Sequence, residues 1–200
     1  PTLDAKRGLM YIATGDNYSS PPTDLSDAIV ALEIATGKVM WSKQVTPGDA
    51  YNSSCAADKQ NCPEEDGPDY DFGSSAILTQ LPGGRDVLLA GQKSGMVYAL
   101  DPEKKGDLLW QVRIAPNGPG TPTSVGVQWG MATDGQRVYA TTSSTGRTPP
   151  KDPLDTRRAI LHPTKGGGST PLRLADRAKV WYAPPIGCAP NAPPGRSPAQ

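Results

Sequence analysis

The chain has 200 residues and equal numbers of basic and acidic side chains, 20 of each, so its formal net charge at pH 7 is zero. This balance argues against a nucleic-acid or anionic-membrane surface, which needs an excess of basic residues. No stretch approaches the ~20 apolar residues of a membrane span. No secretion signal is recognisable, and the chain opens on PTLDAKRG without a methionine, as an internal fragment would.

Three segments of the chain resemble one another and recur about every 70 residues. Each holds an apolar strand, a turn and a short apolar run that closes on a tryptophan. The segments are AIVALEIATGKVMW (28–41), MVYALDPEKKGDLLW (96–110) and TPLRLADRAKVW (170–181). Another strand precedes each one, at GLMYIATG (8–15), RDVLLAGQ (85–92) and QRVYATTS (136–143). Self-similarity at a fixed period indicates a repeat architecture.

The repeats predict an all-β chain whose units hold up to four short strands joined by glycine-bearing turns. The second and third units have an additional innermost strand, SSAIL (74–78) and VQWGMAT (127–133), which the first unit lacks. Four-stranded units that each carry a tryptophan are typical of a β-propeller. Three units do not close a ring of roughly 4–8 blades, so we predict a partial propeller.

The predicted propeller arc spans residues 1–186 and is followed by a proline-rich tail, 187–200. Its blades are expected at about 1–46, 72–114 and 127–186. The stretch 144–168 is rich in charges, prolines and glycines, and we expect a loop insertion there.

The tryptophans at the fixed repeat position, Trp41, Trp110 and Trp181, are most simply packing residues between neighbouring blades. Trp129 falls outside this register, in GVQWGMA, where the innermost strand of a blade begins. Inner strands line the central channel of a propeller. Trp129 and its neighbour Gln128 are therefore candidates for contact with a ligand.

Two cysteines, Cys55 and Cys62, lie seven residues apart in the polar, turn-rich loop SSCAADKQNCP. A local disulfide is the favoured interpretation, and free or metal-binding thiols are the alternative. A zinc site is disfavoured because no further ligand lies nearby and the only histidine, His162, stands in a loop-like ILHPTKGGG. Cys188 is left without an assigned partner.

Residues 66–73, DGPDYDFG, leave two interpretations open: Asp71 is a catalytic carboxylate, or the stretch is a polar turn between strands. Asp16 after Gly15 also suits an ordinary turn, and Lys93 in GQKSG suits a solvated hairpin. The remaining acidic residues of this region are expected to form a solvated loop: Asp58, Glu64, Glu65, Asp66 and Asp69.

The pattern A-L-x-x-x-T-G-x-x-x-W resembles the tryptophan-docking motif of the quinoprotein alcohol dehydrogenases, which use pyrroloquinoline quinone (PQQ). Together with YIATGDNYSSP, DYDFGSSAILTQLPGGRDVLLAGQKSGMVYALD and VQWGMATDG, it is most similar to the polyvinyl-alcohol dehydrogenase branch of that family. The resemblance covers about residues 8–143 well. It implies an eight-bladed propeller with PQQ and Ca²⁺ in the central channel.

The resemblance also implies roles for individual residues. Asp16 would be a Ca²⁺ ligand, and Asp71 would be both a Ca²⁺ ligand and the active-site carboxylate that accepts the alcohol proton. Lys93, expected in the next inner strand, would bond the quinone oxygens, and Gln128 and Trp129 would lie near the same quinone. In such a site the cofactor does the redox chemistry, and the protein positions the reacting groups.

The expected function is therefore that of a fragment of a periplasmic PQQ- and Ca²⁺-dependent dehydrogenase. It would oxidise polyvinyl alcohol or other secondary alcohols and pass electrons to a cytochrome c. The family's cysteine pair, a further Ca²⁺ ligand and the C-x-x-C-H motif of haem c attachment are absent from this sequence, so the fragment alone is expected to be inactive. The alternative is a non-catalytic propeller scaffold of the outer-membrane assembly type.

Overall fold

A computed structural model describes residues 1–115, 125–144, 147–148, 160–161 and 167–184. The first sheet is an antiparallel meander in the order β1-β2-β3-β4. Its strands are β1 (Thr2–Asp4), β2 (Leu9–Ala13), β3 (Ala28–Glu33) and β4 (Val39–Gln44). Strand β1 pairs with β2 over three residues, so the prediction that the first unit lacks its innermost strand is wrong. Three residues are too short to show the alternation that identifies a strand in sequence.

The second sheet repeats the same meander in the order β5-β6-β7-β8. Its strands are β5 (Ile77–Gln80), β6 (Asp86–Gly91), β7 (Met96–Asp101) and β8 (Asp107–Arg113). Strand β5 begins three residues later than the predicted SSAIL. The register of the outer pair shifts at the same repeat position in both sheets, between Ala31 and Leu32 and between Ala99 and Leu100.

The third sheet is less regular. Its strands are β9 (Val125–Gly126), β10 (Ala132–Thr133), β11 (Arg137–Ser144) and, later in the chain, β14 (Gly168–Arg173). Strands β9 and β10 both pair with β11, and only residues 132–133 of the predicted inner strand 127–133 form a strand. Two further short strands, β12 (Arg147–Thr148) and β13 (Ile160–Leu161), pair with each other inside the stretch expected to be a loop.

Two hydrophobic clusters join the three sheets face to face. Tyr11, Ile29 and Leu88 belong to the first cluster, between the first and second sheets. Leu89 and Val138 belong to the second cluster, between the second and third sheets. Because neighbouring residues of β6 point to opposite faces, the middle sheet is buried on both sides. This explains the continuous apolar run DVLLAG. The all-β fold built from repeated sheets is as the sequence predicts. Among the described residues, no helix is long and apolar enough to cross a membrane.

The tryptophans pack where the sheets meet. The Trp41 ring lies 5.6 Å from the Tyr11 ring, and its Cζ3 edge is close to Gly106 of the second sheet, where an added Cβ would come within 2.7 Å of it. Trp110 packs against the second cluster. Trp181 has a ring contact with Tyr139 at 6.3 Å and stays 48% exposed. Trp41 and Trp110 therefore seal neighbouring sheets, as expected from their repeat position.

The repeat position four residues before each tryptophan has a left-handed backbone. Gly37 has φ 73° and Gly106 has φ 78°, and Arg177 occupies the same position of the third unit with φ 65°. After Arg177 the expected fourth strand is reduced to two isolated bridges, Leu172 with Lys179 and Ser169 with Ala183. A side chain at positive φ is strained, whereas glycine accepts this conformation freely.

Replacing Arg177 by glycine is therefore expected to stabilise the protein. The Arg177→Gly variant should gain about 1 kcal/mol in free energy of unfolding, because the left-handed strain is removed. Denaturant unfolding measures the change. The reciprocal control is Gly37→Ala, which meets no atom within 4 Å and should lose about 1 kcal/mol from backbone strain alone. An Arg177→Gly variant less stable than the wild type would contradict this account.

Candidate functional site

Three connections meet at one end of the first two sheets. They are the β2–β3 connection (residues 14–27), the β4–β5 connection (45–76) and the tight β6–β7 turn (92–95). Backbone hydrogen bonds join them: Phe72 N donates to Thr14 O at 3.2 Å, and Lys93 N donates to Asp71 O at 3.0 Å. The stacking of the two sheets thus brings loops that are far apart in sequence into one site.

Asp71 lies at the centre of this site. Its Oδ1 accepts a hydrogen bond from the backbone N–H of Asp16 at 2.8 Å, and its Oδ2 forms an ion pair with Lys93 Nζ. Gly15 allows this close approach, because a Cβ there would lie 2.1 Å from Asp71 Oδ1. The structure therefore brings the predicted residues Asp16, Asp71 and Lys93 together.

Asp69 also belongs to the site, although the sequence prediction placed it in a solvated loop. Its Oδ1 forms an ion pair with Lys93 Nζ at 2.7 Å, and its side chain is only 16% exposed. The prediction is therefore wrong for Asp69. The other four acidic residues of that prediction, Asp58, Glu64, Glu65 and Asp66, are exposed. Asp69 stands two residues before Asp71 in D-Y-D, and this spacing is the sequence signal that could place both in the site. The many other acidic residues of the loop make the signal hard to recognise.

Lys93 was predicted in an inner strand, and the structure corrects this. It lies in the β6–β7 turn, between Gly91 and Met96. The alternative of a solvated hairpin charge is right about the hairpin and wrong about the solvation, since the Lys93 side chain is 20% exposed and contacts two carboxylates. Burial lowers its pKa, but hydrogen bonds to Asp69 and Asp71 outweigh that effect and raise it above the ordinary value. Lys93 therefore stays a cation in this site.

The three aspartates form a compact oxygen cluster. One carboxylate oxygen from each of Asp16, Asp69 and Asp71 lies within 4.8 Å of the others. Burial, followed by the neighbouring Asp71, raises the pKa of Asp16 to about 8. Burial also raises the pKa of Asp69, partly offset by Lys93. Burial also acts to raise the pKa of Asp71, but hydrogen bonds from Asp16 and Lys93 outweigh this effect and lower that pKa below its ordinary value. Two of the three carboxylates, those of Asp69 and Asp71, thus share one ammonium, and Asp16 is linked to Asp71.

Asp49 holds the Asp69–Asp71 segment in place through two hydrogen bonds to its backbone. Its Oδ1 accepts the backbone N–H of Asp69 at 3.1 Å, and its Oδ2 accepts that of Tyr70 at 2.8 Å. Asp49 itself is fully buried. Asp16 is fixed in a similar way, because its Oδ2 accepts the backbone N–H of Tyr51 at 3.1 Å. Backbone N–H groups therefore fix both the segment that carries Asp69 and the carboxylate of Asp16.

A pocket of about 590 Å³ opens over the cluster. Its lining includes the three aspartates and Lys93. The remaining lining residues are uncharged and are called the neutral wall: Tyr18, Tyr51, Asn52, Ser53 and Ala56. Tyr18 is 77% exposed, so its ring is available to a bound molecule.

The neutral wall is braced by a disulfide. Cys55 and Cys62 are bonded, with their Cα atoms 4.7 Å apart, as the favoured interpretation of the sequence has it. Asn52 ties this loop to the β2–β3 connection, since its Nδ2 donates to Tyr18 O at 3.0 Å. Glu64 N adds a second link by donating to Ser20 Oγ at 3.0 Å. The disulfide-closed loop is therefore one unit with the segment that carries Tyr18.

Gln128 and Trp129 lie beside the site, but neither is among the described residues that line this pocket. Val127 N donates to Gln92 O at 3.0 Å, and the Gln128 carbonyl packs against Gly73. Trp129 stands in the interruption between β9 and β10 and is 48% exposed. Their predicted roles near a cofactor stay predictions. His162 and Cys188 lie outside the described residues.

Comparison with known proteins places these features in a family. Residues 1–123 match the family model described as PQQ, glucose/ethanol/alcohol dehydrogenase, β-propeller domain. The chain is 43% identical over 195 residues to a polyvinylalcohol dehydrogenase of Pseudomonas sp, covering 96% of this chain and 27% of the relative. It is 37% identical over 143 residues to a polyvinylalcohol dehydrogenase of Sphingopyxis sp. (strain 113P3), covering 70% and 21%.

The chain thus spans about a quarter of the length of these relatives. A solved quinohemoprotein alcohol dehydrogenase from Comamonas testosteroni has a similar fold, with a TM-score of 0.55 and 17% identity. That alignment covers 93% of this chain and 34% of the solved one. At this identity the likeness bears on the fold alone.

The contact between Gly15 and Asp71 gives a test of the site's construction. Gly15→Ala should lower the free energy of unfolding by about 1–3 kcal/mol, the usual cost of overpacking, because the new Cβ overlaps Asp71 Oδ1. Gly130→Ala, with no atom within 4 Å, is the control and should change stability by less than about 0.5 kcal/mol. Equal stability of the two variants in denaturant unfolding would disprove the close approach.

Proposed function

Because the chain belongs to the PQQ-dependent glucose/ethanol/alcohol dehydrogenase family, we propose that it carries part of the active site of an alcohol-oxidising quinoprotein that uses PQQ and Ca²⁺. The observation that carries the proposal is a cluster of three aspartates in the lining of one pocket: Asp69 and Asp71 pair with Lys93, and Asp16 joins them through Asp71. The whole protein's activity, substrate and electron acceptor are part of the proposal.

The carboxylate cluster fits a calcium ion. Ca²⁺ takes oxygen ligands from aspartate side chains and tolerates flexible geometry. When all three carboxylates are ionised they exceed the charge of Lys93 by two, and a divalent cation balances that excess. The raised pKa of Asp16, caused by burial and by Asp71, reflects this surplus. Asp16, Asp69 and Asp71 would hold the ion. The sequence prediction includes Asp16 and Asp71 and lacks Asp69.

Lys93 fits a contact with the quinone. Its ammonium lies in the pocket wall, and its contacts with Asp69 and Asp71 keep it protonated. A fixed positive charge stabilises negative charge that develops on an oxygen in a water-poor site. When bound, PQQ would supply the two-electron oxidant. Gln128 and Trp129 would complete its surroundings, since the segment that carries them packs on Gly73 and on the backbone of Lys93.

Two aspartates are candidates for accepting the alcohol proton. The sequence prediction names Asp71. Its two oxygens are engaged by Asp16 N and Lys93 Nζ, and its pKa is lowered although burial raises it. Asp69 uses only Oδ1 in its contact with Lys93, and burial raises its pKa. A base needs an available oxygen and a pKa near the working pH. These contacts add Asp69 as the second candidate.

The neutral wall suits a substrate with a carbon chain and hydroxyl groups. Tyr18 and Tyr51 offer aromatic surface with a polar end, and Asn52 and Ser53 add polar atoms beside them. Both relatives described above are named polyvinylalcohol dehydrogenases. We therefore propose polyvinyl alcohol, or a similar secondary alcohol, as the substrate.

The remaining parts of the proposal concern the protein's surroundings. The Cys55–Cys62 disulfide supports an oxidising compartment, and we propose the periplasm. A cytochrome c is proposed as the electron acceptor, with any haem c held outside this chain. The scaffold alternative is not favoured, because a protein-binding propeller has no need of three partly buried carboxylates clustered beside one lysine.

Conservative variants in the full-length enzyme separate the roles of the two aspartates. The variants are Asp69→Asn and Asp71→Asn. The variant that replaces the proton acceptor should have a kcat about 10²–10⁴-fold below that of the wild type, even at saturating Ca²⁺. The other variant should need more Ca²⁺ for half-maximal activity and regain more of its kcat when Ca²⁺ is saturating. Dye reduction with alcohol, PQQ and CaCl₂ measures both quantities.

Asp66→Asn is the control for this comparison, since Asp66 is an exposed acid paired with Lys59. It should keep wild-type turnover within about twofold, as expected for an exposed ion pair. Full turnover of both Asp69→Asn and Asp71→Asn at limiting Ca²⁺ would overturn the proposed roles.

The neutral wall predicts a change in substrate preference. Tyr18→Ala should raise KM for polyvinyl alcohol about tenfold, a loss of about 1.4 kcal/mol, because an exposed aromatic contact is removed. KM for 2-propanol should stay unchanged, because a small alcohol does not extend to this wall. Tyr182→Ala, at an exposed tyrosine outside the pocket, is the control. Equal KM changes for the two substrates would argue against a polymer-binding wall.

A further inference from the structure

A buried acid that the proposed chemistry does not use lies at the start of β3. Asp27 is fully buried, and neither of its side-chain oxygens has a hydrogen-bond partner among the described residues. Buried polar atoms without partners are rare in folded proteins and call for an explanation. Asp27 also has a positive φ of 47°, so the chain accepts local strain to place it here.

The backbone of Asp27 is anchored between two parts of the site. Its N–H donates to Gly15 O at 3.0 Å, and its carbonyl accepts from Val45 N at 3.1 Å. The side chain neighbours the carboxylate of Asp49. Asp49 in turn accepts the backbone N–H groups of Asp69 and Tyr70. A single line of contacts therefore leads from Asp27 through Asp49 to the segment that carries Asp69 and Asp71.

A missing proton explains the unpartnered oxygens. An ionised carboxylate only accepts hydrogen bonds, so two facing carboxylates have no donor between them, whereas a protonated one donates to the other. Burial, followed by the charge of Asp49, raises the pKa of Asp27 to about 9. The acidic groups that face it, Asp49, Asp71 and Asp16, all act in this direction. Asp27 is thus a neutral acid at pH 7.

We propose that Asp27 is a positioning residue, whose carboxyl group donates a hydrogen bond to Asp49 and so fixes the carboxylate that holds the Asp69–Asp71 segment over the pocket. The inference rests on the proposed function, because its consequence is measured at the calcium site. It assigns Asp27 and Asp49 a supporting role in that site, beyond the direct ligands.

The test is a titration of metal-free full-length protein with CaCl₂, followed by calorimetry, together with kcat at saturating PQQ and Ca²⁺. Asp27→Asn keeps a neutral donor, and Asp27→Gly removes the donor while suiting the positive φ. The Asn variant should bind Ca²⁺ within about twofold of the wild type. The Gly variant should bind it at least about tenfold more weakly, since misplaced ligands lose affinity steeply.

The control is Asp4→Asn, at a buried acid outside the site that pairs with Arg7 and Tyr11. It should lower the melting temperature and leave Ca²⁺ binding unchanged, which separates positioning from a general loss of stability. Tight binding by Asp27→Gly, or weak binding by Asp27→Asn, overturns the inference. Absence of Ca²⁺ binding by the wild type would instead overturn the proposed function.

A second measurement serves if Asp27→Gly does not fold. The native pKa of Asp27 is raised above its unfolded value of 3.8, so its contribution to stability is full below pH 3.8 and is lost as pH rises towards 9. Asp27→Asn has no such loss. Its melting temperature relative to the wild type should therefore increase between pH 5 and pH 8, by at least about 4 °C. A constant difference over this range would mean that Asp27 is ionised, and the proposed donor would not exist.

Discussion

One ammonium group shared by two carboxylates is the interaction on which the site depends. Lys93 comes from the turn of the second sheet, whereas Asp69 and Asp71 come from the connection between the two sheets. Asp16 joins them from a loop of the first sheet by donating its N–H to Asp71. The site forms only when the sheets are stacked. The apolar clusters that stack them are therefore as necessary for the site as the charged residues.

The site concentrates more negative charge than it neutralises. Asp16, Asp69 and Asp71 cluster beside one lysine, and Asp27 and Asp49 are fully buried close to them. Carboxylates in such surroundings disfavour the charged form, which destabilises the folded protein without a cation. Local conflicts of this kind are characteristic of functional sites. In the proposed function the cluster is a preorganised site for a divalent cation, held by backbone hydrogen bonds that do not depend on the ion.

The sequence predicts the fold well because the repeat is carried by strong local signals. The tryptophans, the glycine turns and the apolar strands identify three units, and the middle unit is buried on both faces as its continuous apolar run indicates. Weak local signals explain the errors. Strand β1 has only three residues, and the third unit carries Arg177 at a left-handed position where the other units have glycine. Lys93 is misplaced by the family resemblance, whereas the local pattern GQKSG already suits the hairpin turn in which it lies.

The sequence identifies some individual site residues, but it does not show which other residues lie beside them in the fold. Asp16, Asp71 and Lys93 were singled out through a family resemblance, and the structure brings them together. Asp69 and Asp49 were missed, because long-range contacts decide which of several acids in a polar loop is buried. Asp27 was not recognisable either, since nothing in SDAIVALE shows that its side chain faces another acid. Such roles depend on tertiary burial, which periodicity and spacing do not report.

A crystal structure of the full-length protein grown with PQQ and CaCl₂ tests the central claim most directly. The account predicts one calcium ion bound by Asp16, Asp69 and Asp71, with Ca²⁺–oxygen distances of about 2.3–2.6 Å, and Lys93 in contact with the quinone. A calcium ion bound elsewhere, with these three aspartates left without metal, would contradict it.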